Sequence, residues 1–446
     1  MRASQKRWGW VRRVVACLAL LAVVMGVGVW VATRKTGTEI SKELERIRAA
    51  GLPAEFEELN EWYERVPDSS NAAVGVLRAI EKFKRSEELG MSLPQGAQSL
   101  SPEFANAIAD HIENNQETLE ILAEALKLNG ARYPLTFQGN IQTIPPHLAE
   151  LKKLANLLRY AAANAATNGE AERTFEALRN GFLLAGTLRN EPLMISELVR
   201  IACAAIALHS LEFALHHVSF TEEQLKELDQ ALQGSEVDCS RSRFRALAGE
   251  RTLGIRGFDL IRSGQLTQPA PGTTKERASA GLYKMLGIID RDEREYLAMM
   301  EGLIAAMTNG FPSAYQQTEA LEKELDRRYS SGLRRLCAHT RGVFPAFAKA
   351  VRKEAALLTQ IRCARAAITV ERYRVAHEGS LPDDLNALVP TFLAEILRDP
   401  VKGESLVYFE TGTGYQISSP GAAVELDNKR STMFSVSRPA VRESGN

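Results

Sequence analysis

Three ionisable side chains, His209, Glu212 and His216, lie three and four residues apart in an otherwise apolar segment. In a helix this spacing puts all three on one face, and Glu212 with His216 could chelate a metal ion, as residues of helical bundles do. A di-metal centre would need a second Glu-x-x-His helix, which the sequence lacks. His209 and His216 are two turns apart, about 10 Å, too far to share an ion. We keep Glu212 and His216 as weak metal-ligand candidates and favour a polar stripe on an amphipathic helix.

A second group of charged residues could bind an anion. Arg241, Arg243 and Arg245 precede Glu250 and Arg251. Ion pairs on a solvated helix face explain the same residues, and exposed pairs of this kind contribute little to stability. We favour that structural interpretation.

Glu197 and Arg200 interrupt an apolar helix and predict a buried ion pair. Loss of one partner of such a pair strands a charge at a cost of about 3–5 kcal/mol, so its role would be stability. The phosphate loop GxxxxGK[ST], the zinc helix HExxH and the GxSxG elbow do not occur in the sequence. Although paired carboxylates leave little linear trace, this favours a non-enzymatic protein, and we predict no catalytic residues and no cofactor.

Cysteine placement leaves the disulfide pattern open. Of the five cysteines, Cys17 lies in an apolar run, and four follow it: Cys203, Cys239, Cys337 and Cys363. Four thiols allow three pairings, and buried free thiols are an equal alternative. The spacing does not match a structural zinc site.

Helices must position nearly all of these residues. Apolar residues recur at three- and four-residue steps from Leu148 to Leu158, Asn168-Gly169 ends that helix, and a second helix covers about 170–189. The two predict a helical hairpin. Asn190 and Pro192 then open a long helix that extends to about residue 217.

Two helix starts are marked by capping residues. Thr221 and Gln224 form a capping box, and Ser101-Pro102 places proline at the first helical position. Further helices are predicted at 69–88, 290–309, 313–331 and 345–378. Turn residues over 263–275 predict a boundary between two lobes.

Twenty apolar residues, Val14 to Thr33, predict a membrane anchor. At 1.5 Å rise per residue they span roughly 30 Å, the thickness of a bilayer core. Arg12 and Arg13 precede the run, and the amino-terminal side carries more Lys and Arg, which keeps that side in the cytoplasm. The predicted location is a bacterial inner membrane, with a single pass, a cytoplasmic N-terminus and a periplasmic body.

Two alternatives would also leave the body outside the cytoplasm. A signal peptide could be cut near Gly26-Val27-Gly28, but the apolar run continues through Val31 and ends at basic residues, so we favour an uncleaved anchor. A lipoprotein modified at Cys17 is weaker, because its apolar stretch should precede the cysteine.

The end of the chain changes character. Residues 405–409 and 415–418 predict a small hairpin across Gly412-Thr413-Gly414, and the chain past Pro420 is polar and predicted to be loose. About fifty residues here resemble the globular end of the major pseudopilin of type II secretion systems. The matching residues are Glu371-Arg372-Tyr373-Arg374, His377, Gly379, Leu381-Pro382, Leu385, Leu388-Val389-Pro390, Leu397, Arg398-Asp399-Pro400, Tyr408 and Gly414-Tyr415.

This chain departs from the pseudopilin pattern at two places. Its apolar run contains no acid, and Gly9-Trp10-Val11-Arg12-Arg13 is not a prepilin peptidase site, so we predict no pilin-like processing. Gly421-Ala422-Ala423 stands where a calcium-binding acid would be wanted, so calcium is not expected. The rest of the chain resembles bacterial membrane-anchored helical proteins through Asn71-Ala72-Ala73, Glu191-Pro192 and Gly249-Glu250-Arg251, a likeness that implies architecture and no activity.

The predicted fold is therefore mainly α: an elongated array of helical hairpins after one transmembrane helix, with a small α+β C-terminal cap. The predicted order is 1–35 cytoplasmic tip and anchor, 36–262 helical lobe, 263–278 linker, 279–379 second lobe, 380–420 pseudopilin-like cap and 421–446 flexible tail. The 55 basic and 55 acidic residues give no basic footprint for nucleic acid.

These features favour a membrane-tethered extracytoplasmic scaffold or interaction protein, with the bilayer and a protein of the cell envelope as partners. One alternative is a hydrolase acting on envelope material through carboxylates in a groove. Another is an accessory of a secretion pseudopilus.

Overall fold

The computed structural model describes residues 2–86, 89, 93–94, 98–139, 144–265, 287–330, 337–421 and 433–437. Within these ranges the chain is mainly α-helical and ends in a small three-stranded antiparallel sheet. The predicted fold class is confirmed at this level.

Twelve helices are found in the described ranges. They are α1 Arg2–Ala49, α2 Phe56–Trp62, α3 Ala72–Lys82, α4 Pro102–Asn114, α5 Gln116–Ala125, α6 His147–Thr167, α7 Ala171–Gly186, α8 Met194–His217, α9 Glu222–Ser263, α10 Ile288–Thr308, α11 Ser313–Tyr329 and α12 Ala338–Ala376. Short 3-10 turns occupy Asp68–Ser70 and Leu385–Leu388.

Local capping explains where several helices start. Thr221 and Gln224 form the predicted capping box of α9, and Ser101 accepts a hydrogen bond from the Phe104 amide at the start of α4. Helix α3 is shorter than the predicted 69–88, because Asn71 caps its N-terminus and the backbone leaves the helix at Phe83.

Two large hydrophobic cores, and a small cluster of Tyr315, Ala355 and Val401, form the body in the described ranges. The first is built by α3–α8, the first half of α9, the second half of α12 and the sheet. The second is built by the end of α1, the second half of α9, α10, α11 and the first half of α12. The division between these two cores runs through α9 and α12. Residues 266–278 of the predicted linker lie outside the described residues.

The sheet has the order β1-β2-β3, with β1 Val407–Thr411, β2 Gly414–Ser418 and β3 Met433–Ser437. Strands β1 and β2 form a hairpin in which Thr411 pairs with Gly414, close to the prediction. Strand β3 lies within the segment 421–446 that the sequence predicts as a flexible tail, and there Phe434 and Val436 are buried and pair with β2. Residues 422–432 and 438–446 of that tail lie outside the described residues.

Two described helices, α1 and α8, are long and apolar enough to cross a membrane. Their surroundings differ, because none of the apolar window of α1 is buried whereas most of the α8 window is packed inside the body. Helix α8 is thus a core helix, and α1 is the candidate anchor.

Candidate functional site

Helices α1, α9 and α10 enclose a cleft of about 690 Å³ that we call the basal cleft. Its volume falls in the range of small-molecule sites, about 300–1,000 Å³. It is lined by α1, by the start of α2, by a loop, and by facing parts of α9 and α10. The lining residues are Gly37, Ile40, Leu44, Ala54, Glu55, Phe56, Glu57, Gln138, Gly139, Ile255, Arg256, Asp259, Arg262, Asp290 and Glu293.

The basal cleft adjoins the end of the long apolar run. Gly287, just before α10, has φ +63°, and a Cβ there would lie 2.3 Å from Cγ2 of Thr33. The body therefore touches the last residue of the run. Gly37 lines the cleft one helical turn further on, about 6 Å along the axis. The cleft thus begins where the apolar run ends.

Arg262 organises the charges in the cleft. Its guanidinium donates to Asp259 at 2.7 Å, to Asp290 at 3.2 Å, and to Glu293. Asp259 is three residues before Arg262 on α9, and Asp290 and Glu293 are three apart on α10, so each helix presents its charges on one face. The arrangement joins α9 to α10 at the cleft wall.

Glu293 is the most perturbed acid of this group. Its side chain is 2% exposed, and burial raises its pKa from 4.5 to about 7 despite the Arg262 guanidinium, with Asp259 and Asp290 adding to the rise. By contrast, the Asp259 side chain is 50% exposed. The cleft thus combines a carboxyl that is partly protonated at neutral pH with carboxylates open to solvent.

Arg256 is the other cation of the cleft. Its guanidinium carbon lies 5.9 Å from the centroid of the Phe56 ring, and its Nε is buried without a hydrogen-bond partner. Among the described residues no carboxylate pairs with it. The cleft therefore contains one guanidinium saturated by acids and one that is available.

Glu212 and His216, the metal-ligand candidates from the sequence, form hydrogen bonds to strand β3. The Ser435 amide donates to Oε1 of Glu212, and the Ser437 amide donates to Nδ1 of His216, each at 2.9 Å. These amides lie on the edge of β3 that faces away from β2, so α8 satisfies an edge that would otherwise be open. Within the described part of the chain, His, Cys, Asp and Glu side chains form no group of three or more that could hold a metal.

The predicted arginine group is divided among structural contacts. Arg243 is buried, pairs with Glu354 of α12, and donates to the Met307 carbonyl at 3.2 Å. Arg245 donates to the carbonyls of Asn190 and Trp62. Arg243 and Arg245 therefore make separate contacts between helices. They do not come together in the anion site considered from the sequence.

Glu197 and Arg200 form the predicted buried pair, with two hydrogen bonds of 2.8 Å. Ser242 donates to Glu197, and Arg200 donates to Sγ of Cys239 at 3.2 Å. The pair is therefore part of a polar network between α8 and α9 rather than an isolated contact.

The Gly249-Glu250-Arg251 sequence joins α9 to the start of α8. A Cβ at Gly249 would lie 1.9 Å from the Pro192 carbonyl oxygen, so only glycine permits this approach. Glu250 accepts from the Met194 amide at 2.9 Å and supplies a cap for α8, whose own preceding residue gives none. Arg251 is buried behind them, with its Nε and Nη2 unpartnered.

The four cysteines that follow the apolar run are free thiols. All four body cysteines, Cys203, Cys239, Cys337 and Cys363, are buried and unbridged. Burial raises the pKa of Cys203 and of Cys239 to about 12, so both are protonated thiols at neutral pH. The buried free-thiol alternative fits the structure.

Sequence reasoning missed the basal cleft, because its walls come from segments more than 200 residues apart. Two weak signals were available: the spacing of three between Asp259 and Arg262, and the same spacing between Asp290 and Glu293.

The structure is that of a mainly helical protein with a cleft at the base of its apolar helix. Comparison with family models, with curated proteins and with solved structures found no significant match.

Proposed function

We propose that this chain is a membrane-tethered extracytoplasmic binding protein whose basal cleft holds a ligand close to the membrane surface. In this proposal Val14 to Thr33 span a bacterial inner membrane, the amino-terminal tip is cytoplasmic, and the helical body is periplasmic. The observation that carries the proposal is that α1 contains the apolar run and also forms a wall of the cleft.

The connection between apolar run and body supports a fixed orientation. Helix α1 is continuous from Arg2 to Ala49, and Ile40 and Ile47 are buried in the second core. Arg294 of α10 also donates to Glu39 at 3.0 Å. Because the linkage is a helix and not a flexible linker, a membrane-embedded run would hold the cleft at the lipid interface.

The ligand can be sought directly with a variant that fills the cleft. Gly37 lines the cleft, and a Cβ there has no atom within 4 Å, so Gly37→Trp places an indole in open space. Gly342→Trp is the matched control, because Gly342 is equally uncrowded on α12 and does not line the cleft. Full-length wild type and both variants would be purified from membranes, and their bound small molecules identified by mass spectrometry.

We expect a molecule that is retained by wild type and by Gly342→Trp and is lost from Gly37→Trp. Equal retention by all three proteins, or none retained by wild type, would contradict a ligand-binding cleft.

A hydrolase acting on envelope material is a second candidate, and Glu293 is the observation that favours it. A carboxyl with a pKa of about 7 in a cleft with four further acidic side chains has the protonation state of a general acid. Isolated envelope fragments incubated with wild type should then release soluble products that Glu293→Gln does not release. Identical product profiles for the two proteins would remove this candidate.

A further inference from the structure

We propose that the basal cleft binds a zwitterionic phosphate–ammonium group of the phosphoethanolamine type, carried by a membrane aminophospholipid or by a free molecule. This inference rests on the proposed function and assigns a ligand class to the same cleft. Three features of the cleft support it: an apolar floor, an available guanidinium, and solvent-open carboxylates one helical turn away.

The floor of the cleft is apolar. Ile40, Ala54, Phe56 and Ile255 are buried, and Leu44 is partly buried beside them. A volume of about 690 Å³ above such a floor accommodates part of a hydrocarbon chain together with a polar head. The ligand that fits is therefore amphipathic rather than purely ionic.

Arg256 provides the site for a phosphate. No described carboxylate pairs with it, in contrast to Arg262, which binds three. A guanidinium offers paired donors that match a phosphate in geometry and charge. Arg256 lines the cleft and has no hydrogen-bond acceptor for its buried Nε among the described residues.

Asp259 provides the site for an ammonium. It lies three residues after Arg256 on α9, where side chains are neighbours with Cβ atoms roughly 5–6 Å apart. Arg262 donates to Oδ1 of Asp259, and half of the Asp259 side chain, which lines the cleft, remains exposed. Adjacent cation and anion on one helix face match the short spacer between phosphate and ammonium.

The charge of the cleft selects among headgroups. Five carboxylates and two guanidiniums line it, so an anionic headgroup without an amine meets net repulsion. A quaternary ammonium has no N–H to donate to Asp259, so phosphocholine is expected to bind less well. The preferred order is therefore ethanolamine, then choline, then glycerol.

Native mass spectrometry of the full-length protein in detergent micelles can test this order. The probes are dioleoyl phosphatidylethanolamine, phosphatidylcholine and phosphatidylglycerol, with soluble phosphoethanolamine as the free form. We expect phosphatidylethanolamine to bind at least tenfold more tightly than phosphatidylglycerol. Asp259→Asn should remove about tenfold of that preference, whereas Arg256→Gln should weaken the binding of all three lipids about tenfold, because each of them carries the phosphate.

Matched controls are Arg327→Gln and Asp326→Asn, which change exposed charges on α11 outside the cleft and should leave lipid binding unchanged. Binding of the lipid alone assigns the source to the membrane, whereas tighter binding of soluble phosphoethanolamine assigns it to a free molecule. The inference is overturned if the protein binds the three lipids with equal affinity, or if neither cleft variant changes lipid binding. If a different molecule is retained by wild type and lost from Gly37→Trp, the proposed function stands while this inference fails.

Discussion

Arg243 and Glu354 place two charges at the contact between α9 and α12, where the two hydrophobic cores meet. Both side chains are at most 3% exposed. Burial raises the pKa of Glu354, and the Arg243 guanidinium opposes that rise. Neither charge is solvated by water, so the attraction between the two side chains must offset the cost of burying each of them.

Removal of Glu354 should be strongly destabilising. Glu354→Ala leaves Arg243 buried without its acid, and we expect the free energy of unfolding to fall by about 3–5 kcal/mol. Chemical denaturation of the full-length protein in micelles, followed by circular dichroism, would measure this change. Glu324→Ala is the control, since its partners Arg327 and Arg328 are exposed at the surface. Equal destabilisation by both variants would contradict a special role for the buried pair.

Glu293 predicts a dependence of stability on pH. Its pKa is about 7 in the folded state against an ordinary 4.5, so the folded protein keeps a proton that the unfolded chain has released. Stability should fall as pH rises from about 4.5 to 7, by up to about 1.4 kcal/mol per pH unit for this one group. Glu354 shifts in the same direction and adds to the wild-type slope.

The contribution of Glu293 can be isolated by substitution. Glu293→Gln keeps the shape of the side chain and removes its titration, so its unfolding free energy should vary less between pH 5 and pH 7 than that of wild type. An unchanged pH slope in this variant would show that Glu293 does not titrate in that window.

At the scale of elements, the approach of α9 to the start of α8 depends on Gly249. A methyl group there would overlap the Pro192 carbonyl, so Gly249→Ala should destabilise by about 1–3 kcal/mol, as overpacking does. Gly234→Ala on the same helix meets no atom within 4 Å and should stabilise by about 0.5–1 kcal/mol. Thermal unfolding midpoints that move in the same direction for both variants would contradict this account.

The edge of β3 depends on α8 in a similar way. Glu212→Leu removes the acceptor of the Ser435 amide, whereas Glu212→Gln retains one. Loss of a hydrogen bond to a charged group costs about 1.5–3 kcal/mol, so hydrogen exchange of residues 433–437 should accelerate at least tenfold in Glu212→Leu and much less in Glu212→Gln. Equal exchange in the two variants would show that this contact does not hold the strand.

The contrast between helix starts and long-range contacts shows what sequence could predict. Thr221 and Gln224 cap α9 as expected, because the capping box is complete within four residues. The cap from Glu250 to Met194 spans 56 residues, and β3 pairs with side chains more than 200 residues away. Such contacts, like the basal cleft, have no local residue signal, because they depend on how the helices pack.

At the scale of the whole molecule, α1 ties three features together: the apolar run, the second core and the basal cleft. Its buried Ile40 and Ile47 fix it to the body, and its contact through Thr33 brings Gly287 to the end of the run. A soluble protein would leave some twenty apolar residues in water, at roughly 25 cal/mol per Å² of exposed surface. In the proposed arrangement, insertion of α1 in a bilayer would remove that cost and would hold the cleft at the lipid interface.

Fractionation combined with protease accessibility tests this arrangement most directly. In spheroplasts of cells that make the full-length protein with a tag at each end, the account predicts that the chain stays in the membrane fraction after high-salt and carbonate washes. Protease added from outside should digest the body and spare the amino-terminal tag. Recovery of the intact protein from the soluble cytosolic fraction, with its body protected from added protease, would contradict the membrane-tethered account.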